Sequence, residues 1–118
     1  MRTKPKGCEG CPLQEDGLGF CDTVGPKSAK IILIGEGPGE NEATFGTPFF
    51  SRAPSGWRLD DWLARAGISR SEVLITNVIR CFTVQRDSAG NIKRGNQGRF
   101  MKRNPKPKEV NECLKRHL

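Results

Sequence analysis

Two β-branched runs constrain this chain more than any other feature. KIILI at 30–34 and VLITNVI at 73–79 are short, continuous and apolar, the pattern of strands buried in a parallel sheet. One amphipathic pattern lies between them. From about Trp57 onward, Leu59, Trp62, Leu63 and Ala66 recur at i, i+3, i+4 and i+7, which is one face of a helix. Gly67 is the residue type that ends such a helix. Strand, helix, strand in that order predicts a right-handed βαβ unit with parallel strands. SRSE at 69–72 has capping-box spacing and predicts a short helical turn before the second strand.

The flanks are less regular. Residues 1–29 are short of apolar side chains, hold Cys8, Cys11 and Cys21, and are expected to form an irregular loop segment. Residues 83–108 show no period and are expected to form a long basic loop, a length that in compact domains commonly goes with function. After Pro107, Val110, Cys113, Leu114 and His117 again have helical spacing. With 118 residues, the expectation is one domain spanning 1–118. No run is long and apolar enough to span a bilayer and no leader is evident, so a cytoplasmic protein with no membrane partner is expected.

Charge is unevenly placed. The formal net charge is +7, and the ten Lys and Arg from Phe82 onward face only three acidic residues. Residues before Phe82 have ten of each sign, so the whole excess sits in the last third. A basic segment on a neutral body points to a polyanionic partner, most simply nucleic acid, with a solvated tail as the alternative.

Five cysteines without a secretory signal argue against a disulfide framework. CEGC at 8–11 is a C-x-x-C pair, Cys81 ends the second strand, and Cys113 falls on the inner face of the last helix. Together they could hold zinc or an iron–sulfur cluster. The residues equally allow Cys81 and Cys113 to be small buried apolar groups. Cys21 is a fifth thiol that could replace either.

The stretch IGEGPGENEATFGTPFF at 34–50 leaves the first strand as an acidic, glycine-rich loop ending in Phe49 and Phe50. Three glutamates there would repel phosphate, and the Lys-Ser/Thr of a P-loop is absent, which disfavours a nucleotide-binding α/β protein. CEGCPL, then KIILIGEGPGENEATFGTPFF, then LARAGISRSEVLITNVIRC resembles the family 4 uracil-DNA glycosylases in order and spacing. The likeness covers residues 8 to 81 well and Cys113 more loosely. It implies a three-layer α/β/α sandwich with a mostly parallel central sheet, and a [4Fe–4S] cluster on Cys8, Cys11, Cys81 and Cys113. It also implies removal of uracil from DNA.

By family position, Phe49 would stack on a flipped uracil and Glu42 would lie near C5 of the base, excluding the thymine methyl. Asn77 would pair its donor and acceptor with the uracil edge, and Gly37 would allow close backbone approach. Glu36 is a candidate for positioning water or stabilising the sugar cation, although a carboxylate there also suits simple capping of backbone amides. Phe50 is expected to plug the core, Trp57 and Trp62 to pack in the core or on the surface, and His117 to have no catalytic role.

Three departures from the family pattern stand out. The link FFSRAPSGWRL after Phe49 is slightly longer, and the interval from Cys81 to Cys113 carries the basic insertion. Family members also continue with further strands and a His-Pro-Ser-type loop that has no counterpart here. The chain therefore reads as the amino-terminal part of such a domain, truncated after its second core strand, with weak or no glycosylase activity expected of it alone. The alternative is a non-catalytic DNA-binding module stapled by a cluster or zinc.

Overall fold

The computed structural model describes residues 1–117. Its centre is the expected pair of parallel strands, β1 (Ile32–Gly35) and β2 (Leu74–Asn77), in register from Ile32↔Leu74 to Gly35↔Asn77. Val24 bridges the far side of β2 antiparallel, exchanging hydrogen bonds of 3.0 and 2.8 Å with Ile75. The fold class is α/β. Four helices surround the strands: α1 (Leu13–Asp16), α2 (Glu40–Phe45), α3 (Pro54–Arg65) and α4 (Pro107–His117). No helix among the described residues is long and apolar enough to cross a membrane.

Helix α3 covers one face of the sheet. Leu59 and Leu63 pack with Val73, Ile75, Leu33, Val24 and Ile68. The helix closes as expected at Gly67: the amide of Ile68 donates back to Leu63 O at 2.9 Å and that of Gly67 to Ala64 O at 3.1 Å. Trp62 and Ala66, assigned by spacing to the inner face, point to solvent, as does Trp57. The contact face runs through Gly56, Leu59 and Leu63 instead, because α3 packs on the backbone of Phe49 and Phe50 at Gly56.

Two further expectations are corrected. KIILI is not buried throughout: Ile32 and Ile34 are 55% and 58% exposed, because nothing among the described residues covers that face of β1. SRSE forms its helical turn, a 3-10 segment at Arg70–Glu72, but no capping box; the Ser69 hydroxyl meets that of Ser71 at 2.9 Å and caps no amide.

The flanks are more ordered than their composition suggests. The amino-terminal segment makes a 3-10 turn at Lys6–Cys8 and the single turn α1, and it bridges Leu18 to Phe82. The basic stretch expected as a loop is an irregular antiparallel meander, bridged at Val84↔Lys102, Arg86↔Ile92 and Arg94↔Phe100. Val84, Ile92 and Phe100, eight residues apart, line its inner side and pack with Ala43, Phe82 and Leu18.

Two of its arginines fasten it. Arg86 reaches Asp16 at 2.6 Å, and Arg103 reaches Asp16 and Glu109 at 2.7 Å each. Burial acts to raise both carboxyl pKa values, but the hydrogen bonds from Arg103, with Arg86 on Asp16 and the Lys106 amide on Glu109, hold them below the usual carboxylate range. A depressed carboxylate stabilises the fold above its unfolded pKa and loses that contribution as pH falls through the folded value. Arg103→Met is expected to cost about 3 kcal/mol near pH 7, and the deficit should shrink as pH falls below the usual carboxylate range. Urea unfolding of both proteins at pH 7 and at pH 3 measures it; equal midpoints at pH 7 would refute the fastening role.

Candidate functional site

Outside the carboxyl ends of the two strands lies a pocket of about 250 Å³, lined by Gly35, Glu36, Gly37, Pro38, Gly39, Glu42, Phe49, Ser55, Asn77 and Lys102. This is the place where open parallel sheets bind ligands. The pocket is smaller than the roughly 300–1,000 Å³ of drug-sized sites, on the scale of a single heterocycle. All five residues that the sequence proposed for substrate contact, Glu36, Gly37, Glu42, Phe49 and Asn77, line it.

Gly35 explains how they meet. It ends β1 opposite Asn77, and a Cβ there would collide with Asn77 Oδ1 and with the Phe49 ring. The absent side chain leaves room for ring and amide side by side. Asn77 is buried, and its side-chain amide makes no hydrogen bond to any described residue. Gly37 has a packing reason as well, since a Cβ there would lie 2.7 Å from Ile79 Cγ1.

Glu42 serves two ends. Oε1 accepts the Gly39 amide at 2.8 Å and caps α2, while Oε2 is buried with no partner among the described residues. An uncompensated buried acceptor is costly, so this oxygen marks a place prepared for a donor. Glu36 is exposed and stands 3.9 Å from Lys102 Nζ. Phe50 is not a core plug; it stacks on the exposed Phe45 with centroids 4.7 Å apart.

Phe49 itself is held in a strained backbone. Its φ of 50° is left-handed, a conformation that costs a non-glycine residue about 1–3 kcal/mol. A residue that the sequence reading missed holds it there. Arg70 donates from Nη2 to Pro48 O and Phe49 O, both at 2.6 Å, and from Nη1 to Asp60 at 2.6 Å. Partial burial acts to raise the Asp60 pKa, yet the hydrogen bonds from Ser51 and Arg70 leave it lowered. No periodicity marks Arg70, because its partners are main-chain carbonyls about twenty residues earlier.

The cysteines form a second centre. Cys8, Cys11, Cys81 and Cys113 are buried in one cluster with Leu13, Phe20 and Ile79. Burial pushes up the thiols of Cys8, Cys81 and Cys113, that of Cys81 to about 12, and the neighbouring sulfurs add to the effect. Cys21 lies outside this group, pushed up to about 12 by burial and by Glu42. His117 Nε2 stands 3.3 Å from Cys8 Sγ, its ring edge-on to Phe20. Among the described residues no three His, Cys, Asp or Glu side chains close around a point that one metal ion would occupy.

Beside the sulfurs lies Arg80, whose side chain is only 2% exposed. One Nη donates to His117 O at 3.1 Å; the other reaches the exposed Asp22 at 3.4 Å, and Nε is buried without a partner. A buried cation so thinly compensated is expensive.

The Arg70 clamp carries a prediction. Arg70→Met is expected to lower stability by about 2 kcal/mol, the scale of hydrogen bonds to a charged donor, and to expose residues 48–53 to proteolysis. Urea unfolding and limited proteolysis read both; an unchanged midpoint with an intact 48–53 segment would remove the clamp from the account.

The uracil DNA glycosylase superfamily model matches residues 22–118. A type-4 uracil-DNA glycosylase of Archaeoglobus fulgidus is 32% identical over 106 residues, 90% of this chain and 44% of that protein. Those of Thermotoga maritima and Pyrobaculum aerophilum are 40% and 36% identical over 76 residues, each match covering 64% of this chain and 38% of the relative. The chain thus spans less than half the length of these curated relatives. It belongs to the uracil DNA glycosylase superfamily.

Proposed function

We propose that this chain provides the base-recognition part of a DNA-repair glycosylase acting on uracil in DNA. The observation that carries this reading is the meeting of the Phe49 ring and the unpaired Asn77 amide over Gly35 in a pocket of single-base size.

Chemistry on a base within DNA requires that base to be extruded into a pocket. Phe49 offers a face for it, worth about 1–3 kcal/mol per stacked base. Asn77 offers one donor and one acceptor, which match adjacent acceptor and donor groups on the uracil edge. Cytosine presents the reverse pattern and would leave those groups unpaired. The wall at Glu42 stands against substituents at C5. Bond cleavage expels uracil as an anion while the sugar becomes cation-like. The Asn77 amide donor lowers the barrier by stabilising the developing base anion. Glu36, exposed at the mouth, is placed to hold a water or face the sugar cation.

The four clustered cysteines would hold the [4Fe–4S] group that the family resemblance implies, with zinc as the alternative. When bound, the group would tie the amino-terminal segment, the end of β2 and α4 together. Its anionic thiolates would also compensate the buried Arg80. The raised thiol pKa values mean that loading releases protons and weakens as pH falls.

Two measurements test these readings. Asn77→Ala is expected to abolish a preference for single-stranded DNA bearing one uracil over the cytosine equivalent, and Phe49→Ala to weaken binding of the uracil DNA by about 1–3 kcal/mol. Equal binding of both DNAs by the parent chain would sink the base-recognition reading. For the cysteine centre, a chain reconstituted with iron and sulfide is expected to be brown, and Arg80→Met to bleach faster under chelator. A colourless protein holding zinc would contradict it.

A further inference from the structure

The meander divides its basic residues into two sets. Arg86 and Arg103 face inward and are consumed by Asp16 and Glu109. Lys93, Arg94 and Arg99 are exposed and make no ion pair among the described residues. A stretch that only needed to be solvated would not have to be bridged and anchored by three apolar residues and a half-buried ion network.

Its position matters as much as its charge. The bridge from Val84 to Lys102 delivers the lysine to the pocket mouth, beside Glu36. Arg99 lines a second hollow of about 480 Å³, bounded on its other sides by Gly39, Glu40, Glu42, Pro54 and Ser55. Gly39, Glu42 and Ser55 line both hollows, so the second is a groove that continues the pocket. Arg94 is already oriented: its guanidinium lies 4.3 Å over the Phe100 ring and donates to Gly98 O at 2.8 Å. A cation stacked on an anchored ring loses less freedom when it engages a ligand.

The carboxylates at the crevice would oppose an approaching polyanion. Lys102 offsets Glu36, and the three outward cations lie on the meander that flanks the groove. We infer that the meander is a phosphate-binding arm: Lys93, Arg94 and Arg99 hold the backbone of the DNA strand whose extruded base enters the pocket, while Lys102 neutralises the entrance. This rests on the base-recognition reading for the identity of the pocket's occupant, but the arm's own action is independent of which base is present.

The test uses two fluorescent single-stranded oligonucleotides, one with a single uracil and one with thymine in its place, titrated at several salt concentrations. The triple variant Lys93→Gln, Arg94→Gln, Arg99→Gln is compared with a control of equal charge loss, Lys27→Gln, Lys30→Gln, Arg65→Gln. Those control positions are exposed and lie toward the amino ends of the strands and the carboxyl end of α3, opposite the crevice. Circular dichroism verifies that each variant is folded.

Each phosphate contact on a single strand contributes about 0.7 to the slope of log affinity against log salt. The arm variant is therefore expected to lose about 2 in slope and at least about tenfold in low-salt affinity, equally on both DNAs, while the control keeps most of both. Three results would overturn the arm: no measurable DNA binding by the parent, arm-variant binding equal to the parent, or an equal loss in the control. A parent that binds both DNAs alike but loses affinity in the arm variant would leave the arm standing and remove the base-recognition reading instead.

Discussion

The backbone pairing of Gly35 with Asn77, at the carboxyl end of a two-stranded parallel sheet, is the constraint on which the site depends. It places the one residue without a side chain opposite an amide, and the space left at Gly35 admits the Phe49 ring. Side chains alternate along a strand, so a slip of one residue would turn Asn77 to the other face and separate ring from amide. The helix that completes the βαβ unit contributes to the same arrangement. Gly56 lets α3 press against the Phe49 and Phe50 carbonyl groups, and Arg70 holds two carbonyls of the turn. The left-handed backbone of Phe49 thus persists because elements on both sides determine it.

Electrostatics follows the same division between holding and acting. Asp16 and Glu109 absorb the arginines that fix the meander, and Asp60 absorbs the one that fixes the Phe49 turn. Groups buried without a partner among the described residues lie elsewhere: Glu42 Oε2 at the pocket and Arg80 Nε beside the sulfurs. Buried polar groups are normally satisfied, so these two exceptions mark the places where the proposed occupants would supply partners.

The cysteine centre and the pocket share an element. Asn77 ends β2 and Cys81 lies four residues further on, so whatever fixes the sulfurs also fixes the exit of the strand that carries the amide. The exposed side chains of Ile32 and Ile34 lie on the same short sheet. Nothing among the described residues covers this face of β1, so a run that reads as a buried strand is only half buried.

Local pattern sufficed where the information is local. Two β-branched runs with one amphipathic stretch between them determined the βαβ unit, and Gly67 the end of its helix, because periodicity and backbone freedom act over a few residues. The glycine-rich stretch with Phe49, together with Asn77 and the four grouped cysteines, was legible through a family resemblance. Only the tertiary structure decided what depends on distant partners: the Arg70 clamp, the thinly compensated charge of Arg80, the inward and outward basic residues of the meander, and which face of β1 stays open. Even the eight-residue spacing of Val84, Ile92 and Phe100 gained meaning only once Phe82, Ala43 and Leu18 stood behind them. Packing joins residues far apart in the chain, and no short window of sequence records that contact.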